Sequence, residues 1–252
     1  MSLSSKKIKK SINKSFTFIF FLCVIAAAFV FRDFVFLQAK HVVAFYRVYE
    51  GDENYKKGKL QEAIQKYNQA VTLYPEHVKA QYNLGNIYVT FEDYFKAVEC
   101  YEKALKSDPN YLNARINLGI ILAQEIVDLE KAVEEYKKAI NTKIFTINIP
   151  FVYNNRPHVK HSMAIAYYNL GLAYKAQSLL ADLTTFASRD ALQKAVESYK
   201  NSLKYEPASY DTHYNLALTL HLLGNYNEAI KEYCKAIDLE PLNYEAHYNL
   251  AI

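Results

Sequence analysis

The sequence predicts an all-α fold built as an array of paired helices, and two repeating patterns predict it. The tripeptides Asn-Leu-Gly and Asn-Leu-Ala occur five times, and two of the four gaps between them are 34 residues. Alanines recur in step, at Ala63, Ala97, Ala132, Ala195 and Ala229, and each is followed four residues later by a tyrosine. A fixed period of this length is the sequence signature of a repeat architecture.

Each repeat divides into a first and a second helix. Small residues that let two helix backbones approach closely recur in the first helices, at Gly51, Gly85, Gly119, Gly171, Ala217 and Ala251. We expect these residues to face the alanines of the second helices. Because proline cannot continue a helix, Pro75, Pro109, Pro207 and Pro241 predict where second helices end. Gly58 and Gly224 then fall in the turns between paired helices.

The small-x3-Tyr-x2-small pattern with a period of 34 resembles the tetratricopeptide repeat, whose unit is an antiparallel helix pair. The resemblance covers about residues 44 to 252. It implies a tetratricopeptide-repeat α-solenoid of about five helix pairs plus a partial sixth. Repeats 1–3 occupy 44–143, a linker occupies 144–162, and repeats 4–5 with the partial repeat occupy 163–252.

Two segments depart from the period. The linker contains Ile144–Pro150, whose alternation is strand-like, and we expect it to divide the array into stacks of three and two pairs. Inside the fourth pair, Ser178–Arg189 adds 12 residues. Asp190 and Gln193 form a candidate capping box for the next helix. The first helix of that pair should therefore overhang its neighbours by two or three turns. The apolar side chains at this tip either fold onto the linker or bind a partner: Leu179, Leu180, Leu183 and Phe186.

The amino terminus predicts a single transmembrane helix. Residues 16–37 are apolar apart from Thr17 and the Arg32-Asp33 pair, and 22 residues span about 33 Å as a helix. Five lysines precede this segment within residues 1–15. The positive-inside rule places such a basic segment in the cytoplasm and the repeats across the membrane, as a signal anchor.

A cleaved signal peptide is the alternative, because it also has a basic start and an apolar middle. The apolar run is longer than in most signal peptides, and Leu37-Gln38-Ala39 is only a fair cleavage site. Cleavage would make the repeats secreted or periplasmic.

Charge and composition exclude several function classes. Residues 1–43 hold seven basic and one acidic side chains, whereas the remaining residues hold 23 basic and 25 acidic ones. The repeats therefore carry no basic field for nucleic acid. Cys23, Cys100 and Cys234 are too far apart for a CxxC metal site, and all six glycines are assigned to helix crossings and turns. We expect no metal, no cofactor and no catalytic site.

The best candidate site is the asparagine ladder, which we define as Asn83, Asn117, Asn169, Asn215 and Asn249. The ladder resembles that of the O-linked N-acetylglucosamine transferase superhelix, whose asparagines on the concave face hold an extended peptide by its backbone. An amide side chain both donates and accepts, so it can pair with any peptide unit. The same groove should include Tyr82, Tyr168, Tyr214, Tyr248, Asn86, Thr90, Gln124, Lys175 and His221. Alternatively, the asparagines bond to neighbouring helix backbone or water.

These features predict a membrane-tethered scaffold whose groove binds an extended or helical segment of a partner protein. Chaperone-binding relatives capture a carboxylate tail with basic side chains, but the matching positions hold Val48, Asp52, Tyr82 and Ile116. The alternatives are the substrate-recognition part of a truncated glycosyltransferase and an assembly factor for an envelope or secretion complex. The last residues, Tyr244–Ile252, repeat the opening of a first helix, which indicates truncation or self-association through an open carboxyl end.

Overall fold

The computed structural model describes residues 3–142, 156–181 and 185–251, and every regular element in these ranges is an α-helix. The predicted all-helical solenoid is confirmed. The helices are α1 (Leu3–Lys56), α2 (Leu60–Leu73), α3 (Val78–Thr90), α4 (Tyr94–Ser107), α5 (Leu112–Gln124), α6 (Leu129–Ile140), α7 (Arg156–Leu180), α8 (Phe186–Tyr205), α9 (Tyr210–Leu222), α10 (Tyr226–Leu239) and α11 (Tyr244–Ala251). The chain forms two compact units, Met1–Ala80 and Gln81–Ile252.

In the first unit, α2 packs against the carboxyl-terminal part of α1. The sequence separates an apolar segment, 16–37, from a first repeat that starts at residue 44, but a single helix of 54 residues contains both. Ala44 and Val48 are buried in the helix pair. The large apolar side chains from Phe21 to Leu37 are instead 41% to 69% exposed. By length and composition, this exposed part passes the test for a membrane span, which a signal sequence also passes.

In the second unit, the pairs α3/α4, α5/α6, α7/α8 and α9/α10 follow one another, and α11 comes last. The second helix of each pair packs against the first helix of the next: α4 on α5, α6 on α7, α8 on α9 and α10 on α11. Because each pair buries its apolar faces between its neighbours, stacking supplies the continuous core that a single pair lacks.

A contact between glycine and tyrosine that recurs in four pairs explains how the two helices of a pair meet. A β-carbon built on Gly85 would lie 2.5 Å from Cε1 of Tyr101. Gly51, Gly119 and Gly171 meet the tyrosine of their own second helix at 2.5 to 2.6 Å in the same way. The expectation that these glycines face alanines is therefore wrong. An aromatic ring lies against the bare backbone, because a tyrosine fills more of the space between two helices than an alanine does.

The tyrosines that make this contact are the largest fully buried side chains of the chain as described. Tyr67, Tyr101, Tyr136, Tyr199 and Tyr233 are each at most 1% exposed. In the fifth pair Ala217 replaces the glycine, yet Tyr233 remains buried, so the structure accommodates one added methyl group there.

Helix ends follow the residues that the sequence singled out. Second helices α2, α4, α8 and α10 each end two residues before one of the four predicted prolines. Gly58 and Gly224 have φ angles of +72° and +80°, which a glycine adopts without strain. The equivalent turns of the second and third pairs use Glu92 at φ +58° and Val127 at φ +59°. A β-branched residue is strained at positive φ, so the packing around this turn must stabilise the left-handed conformation of Val127.

The predicted linker is shorter than expected. Residues 143–155, including the strand-like Ile144–Pro150, lie outside the described residues. Residues 156–162, however, belong to α7, where Pro157 occupies the first turn and so costs no helical hydrogen bond. Helix α7 packs against both α5 and α6. Ile116, Ala139 and Ala166 form one buried cluster, so the third and fourth pairs share a core instead of forming separate stacks.

The insertion in the fourth pair lengthens both helices rather than the first one alone. Helix α7 ends at Leu180, and α8 begins at Phe186 with Thr185 as its N-cap, whose hydroxyl accepts from the Ser188 N–H at 3.2 Å. The predicted capping box is therefore wrong. Asp190 lies inside α8, where its carboxylate pairs with Lys194 at 2.5 Å.

Two serines hold the lengthened helices together. The buried hydroxyls of Ser178 and Ser188 lie 3.1 Å apart, and the Ser188 hydroxyl also donates to the Ser178 carbonyl at 3.2 Å. Leu179, Leu180 and Phe186 remain 55% to 86% exposed beside them. Leu183 lies outside the described residues.

We expect Gly85→Val to lower the free energy of unfolding by about 1–3 kcal/mol, since it overpacks the space filled by Tyr101. The matched control is Ala187→Val. Ala187 is exposed on α8, so this substitution costs only the lower helix propensity of valine and overpacks nothing. Circular dichroism melts of both variants test this. Equal melting temperatures would contradict a tight glycine–tyrosine contact.

Candidate peptide-binding face

The asparagine ladder lies in the second unit, one rung on each of the successive helices α3, α5, α7, α9 and α11. The leucine that follows each of the first four asparagines is buried, at 1% to 5% exposed. Asn169 is 9% exposed, and the other four asparagines are half-buried. The ladder therefore lies where the core of the unit meets its surface. We call this surface the first-helix face.

Neighbouring rungs are joined by hydrogen bonds to tyrosine. The Asn215 amide donates to the hydroxyl of Tyr168 at 3.2 Å, and the Asn249 amide donates to the hydroxyl of Tyr214 at 3.1 Å. Tyr168 and Tyr214 directly precede the ladder asparagines of the preceding pair. The Tyr-Asn dipeptides thus link successive first helices, which fixes the distance between rungs.

In the second and third pairs, Asn86 replaces tyrosine as the linking residue. Its amide oxygen accepts from the Tyr101 hydroxyl at 2.7 Å and from the Asn117 amide at 3.0 Å. The Asn117 amide also lies 3.4 Å from the Tyr101 hydroxyl. Asn86 therefore joins the glycine–tyrosine contact of one pair to the ladder of the next.

The amide N–H groups of the ladder also bond to their own helices. Asn169, Asn215 and Asn249 donate to the carbonyls of Ile165, Asp211 and Glu245 at 2.9 to 3.0 Å. Bonding to neighbouring groups, the alternative that the sequence left open, is thus observed for the donors. The amide oxygens of Asn117, Asn169 and Asn249 accept no hydrogen bond from the described residues. The first-helix face accordingly presents acceptors.

Lys175 adds one positive charge to this face. Its ammonium donates to the Asn215 amide oxygen at 2.6 Å, and no ion pair with a described carboxylate accompanies that bond. Burial lowers the pKa of Lys175. Asn215 therefore uses its oxygen to hold a half-buried lysine in place.

The remaining predicted residues make contacts outside the ladder. Thr90 is exposed and donates to the Asn86 carbonyl at 3.2 Å, while Gln124 is exposed at the end of α5. The ring of Tyr82 packs against Tyr101 with centroids 5.9 Å apart. His221 contacts Tyr226 edge-on, and Tyr248 is 66% exposed. These side chains therefore do not bond to the ladder amides, whereas Tyr168 and Tyr214 do.

The buried tyrosine hydroxyls differ between pairs. In the first unit the Tyr67 hydroxyl donates to the Asp52 carboxylate at 2.8 Å, as Tyr101 does to Asn86 in the second unit. Asp52 and Asn86 both follow the contacting glycine directly. Leucines stand at the equivalent positions of the fourth and fifth pairs, Leu172 and Leu218, and there the hydroxyls of Tyr199 and Tyr233 are buried without a partner among the described residues.

The histidines that repeat in the array have structural partners. The two ring nitrogens of His213 lie 2.6 Å from a Glu232 carboxylate oxygen and 3.0 Å from the Pro207 carbonyl. Arg115 bridges Glu135 and the Pro109 carbonyl in the same manner, at 2.5 and 2.6 Å. Since both ring nitrogens are engaged, His213 has none left for a metal ion.

Comparisons with known proteins agree with this geometry. A profile described as TPR repeat matches residues 51–90 and 219–252. Profiles described as Tetratricopeptide repeat match residues 78–111 and 198–231. The chain carries tetratricopeptide repeats.

Curated relatives match this tetratricopeptide array only over part of their length. BBSome complex member BBS4 of Bos taurus is 28% identical over 162 residues, which cover 61% of this chain and 24% of that protein. The Hsp70-Hsp90 organising protein of Plasmodium falciparum is 28% identical over 36% of this chain and 17% of its own. UDP-N-acetylglucosamine–peptide N-acetylglucosaminyltransferase of Giardia intestinalis is 32% identical over 31% of this chain and 5% of its own. The matches thus span at most about a quarter of these relatives.

Solved structures support the fold. YrrB, described as a TPR protein with an unusual peptide-binding site, superposes with a TM-score of 0.61 at 20% identity, over 82% of this chain and 91% of its own. PilF of Pseudomonas aeruginosa gives 0.62 at 20% identity, over 82% and 81%. MamA gives 0.59 at 23% identity, over 83% and 97%.

The residue that follows the contacting glycine is asparagine in the second pair and leucine in the fourth. Replacing each by the other type should destabilise the second pair and stabilise the fourth. Asn86→Leu leaves two partly buried donors without their acceptor and should cost about 1–3 kcal/mol. Leu172→Asn supplies the acceptor that the Tyr199 hydroxyl lacks and should stabilise by about 0.5–1.5 kcal/mol.

Thermal melts of the two variants, and of the double variant, measure both effects. If both single variants melted below the parent by the same amount, the hydroxyl-to-amide pairing would not be the cause of the Asn86 effect.

Proposed function

We propose that this chain is a membrane-tethered scaffold whose first-helix face binds an extended or helical segment of a partner protein. One observation carries the proposal. Hydrogen bonds tie Asn117, Asn215 and Asn249 each to the preceding first helix, and the oxygens of Asn117, Asn169 and Asn249 accept nothing from the described residues. A row of fixed acceptors matches the N–H groups of an extended backbone, which any peptide offers regardless of its sequence.

Aromatic side chains beside the ladder support protein binding. Tyr214 is half-buried and Tyr248 is 66% exposed, so both offer rigid contact area with a polar tip. Among the relatives and structural neighbours, YrrB is described as having a peptide-binding site and BBS4 as a member of a protein complex. A glycosyltransferase relative is also present, but it aligns over 78 residues only, so we favour a binding module over an enzyme.

The tether is the amino-terminal part of α1. We propose that residues 16–37 remain as a signal anchor, with residues 1–15 in the cytoplasm and the repeats on the other side. The exposed apolar side chains of this segment are what a bilayer would cover.

The charged pair within the tether is compatible with this assignment. Arg32 lies 2.9 Å from the carboxylate of Asp33 and also stacks over the Phe29 ring at 4.8 Å. Both residues fall near the end of the segment, where paired or snorkelling charges are tolerated.

Replacing Asn83, Asn117, Asn169 and Asn215 together by alanine should weaken partner capture by roughly fivefold or more, because it removes the accepting oxygens of Asn117 and Asn169 at about 0.5–1.5 kcal/mol per lost hydrogen bond. The measurement is crosslinking of the full chain in membranes followed by mass spectrometry, at a temperature where all variants are folded. Crosslinks should disappear from the first helices.

The matched control removes four other amides, Asn68, Asn110, Asn201 and Asn225, which lie on second helices or turns. We expect this control to capture the partner as the parent does. Capture that survives in the ladder variant would place the binding site on another face.

Ile25→Arg should reduce the fraction of protein that stays with membranes after a carbonate wash, since a central arginine costs about 2.5–3.5 kcal/mol on insertion. The parent should remain in the membrane at its unprocessed size. Val42→Arg is the control, because Val42 is 68% exposed on the same helix but lies beyond the proposed span. A soluble parent shortened to near Lys40 would instead identify a cleaved signal.

A further inference from the structure

A small cavity opens next to the ladder where the fourth pair meets the fifth. It has a volume of about 360 Å³ and lies between the amino-terminal half of α7, the end of α8 and the first turn of α9. Tyr168 and Asp211 line the cavity. Both also take part in the ladder, because Asn215 donates to the Tyr168 hydroxyl and to the Asp211 carbonyl. The cavity therefore continues the first-helix face.

The cavity is acidic. Glu206, Asp211 and Glu240 line it, and no lysine or arginine of the described residues does. Among the described side chains of the lining, His161 is the one basic group, with Nδ1 3.3 Å from Glu206. Carboxylates elsewhere in the second unit, such as Glu135 and Glu232, are instead paired with basic side chains. The amino terminus of α9 carries a partial positive charge, but three carboxylates outweigh it.

An independent feature of the same cavity is an unused hydroxyl. Tyr210 lines the cavity and is only 9% exposed, yet its hydroxyl is buried without a hydrogen-bond partner among the described residues. Burial, followed by the charge of Glu245, raises the pKa of Tyr210, so the hydroxyl stays neutral and can accept from a cation. The Tyr210 ring stacks on Tyr214 with centroids 5.8 Å apart and planes 7° apart. An aromatic pair of this kind also attracts a cation.

We propose that this cavity binds a lysine or arginine side chain of the partner segment that lies along the ladder. The inference rests on the proposed function, since the ladder would hold the backbone while the cavity selects one positively charged side chain. Three carboxylates, a tyrosine hydroxyl and an aromatic surface around one small cavity match the donors and charge of an ammonium or guanidinium group. The partner segment is therefore expected to carry a basic residue at one fixed position.

Phage display of random peptides on the full chain in detergent micelles tests this site. Peptides selected by the parent should share a lysine or arginine at one position. A variant with Glu206→Gln, Asp211→Asn and Glu240→Gln should bind a selected peptide at least tenfold more weakly by fluorescence anisotropy. Replacing the basic residue of the peptide by citrulline or acetyl-lysine should cause a similar loss with the parent.

The control variant removes the same charge elsewhere, by Glu99→Gln, Glu134→Gln and Glu228→Gln on exposed faces of second helices. It should bind the selected peptide within twofold of the parent. Tyr210→Phe provides a second check: it should weaken peptide binding at least threefold without lowering the melting temperature, because the lost hydroxyl has no partner among the residues that the structure describes.

The outcomes separate the two proposals. Selected peptides that depend on the ladder asparagines but share no basic residue, or that bind both carboxylate variants equally, would overturn the cavity assignment alone. Failure to select any peptide that depends on the ladder would overturn the proposed function and the cavity assignment with it.

Discussion

The array depends on the contact between a tyrosine ring on each second helix and the backbone of the paired first helix. Four first helices carry glycine at this point, and any added β-carbon there would overlap the ring. The contact sets how closely the helices of a pair approach, and burying a whole tyrosine removes much apolar surface from water. Stacking of one pair on the next then uses faces that this first contact has already positioned.

Much of the fold follows from local rules that a sequence displays directly. Period, proline positions and turn glycines predict helix pairs and their ends, because each reflects a constraint on a few neighbouring residues. Which side chain of the second helix contacts the first helix is not determined by neighbouring residues in the sequence. Alanine and tyrosine recur with equal regularity, so the spacing alone does not reveal that Tyr101 rather than Ala97 lies against Gly85.

In the insertion and at the candidate site, too, contacts between residues distant in sequence escape prediction from local patterns. Asp190 and Gln193 satisfy a capping pattern, but the serine contact between Ser178 and Ser188 stabilises additional turns at the start of α8. At the site, the ladder was recognisable from its repetition. The cavity beside it was not, because Glu240 lies far in sequence from Glu206 and Asp211 and the three carboxylates belong to no motif. A signal for Asn86 did exist, since a polar residue follows the contacting glycine in the first two pairs and leucine does so in the fourth.

The unbroken course of α1 has a consequence for geometry. A single helix contains both the exposed apolar segment and the residues that pack on α2. Successive residues of a helix are rotated by about 100° around its axis. The number of residues between these two parts therefore fixes the rotation of the α1/α2 hairpin about the α1 axis, relative to the apolar segment. Gaining or losing one residue there would swing the hairpin by more than a quarter of a circle while leaving every contact within it intact.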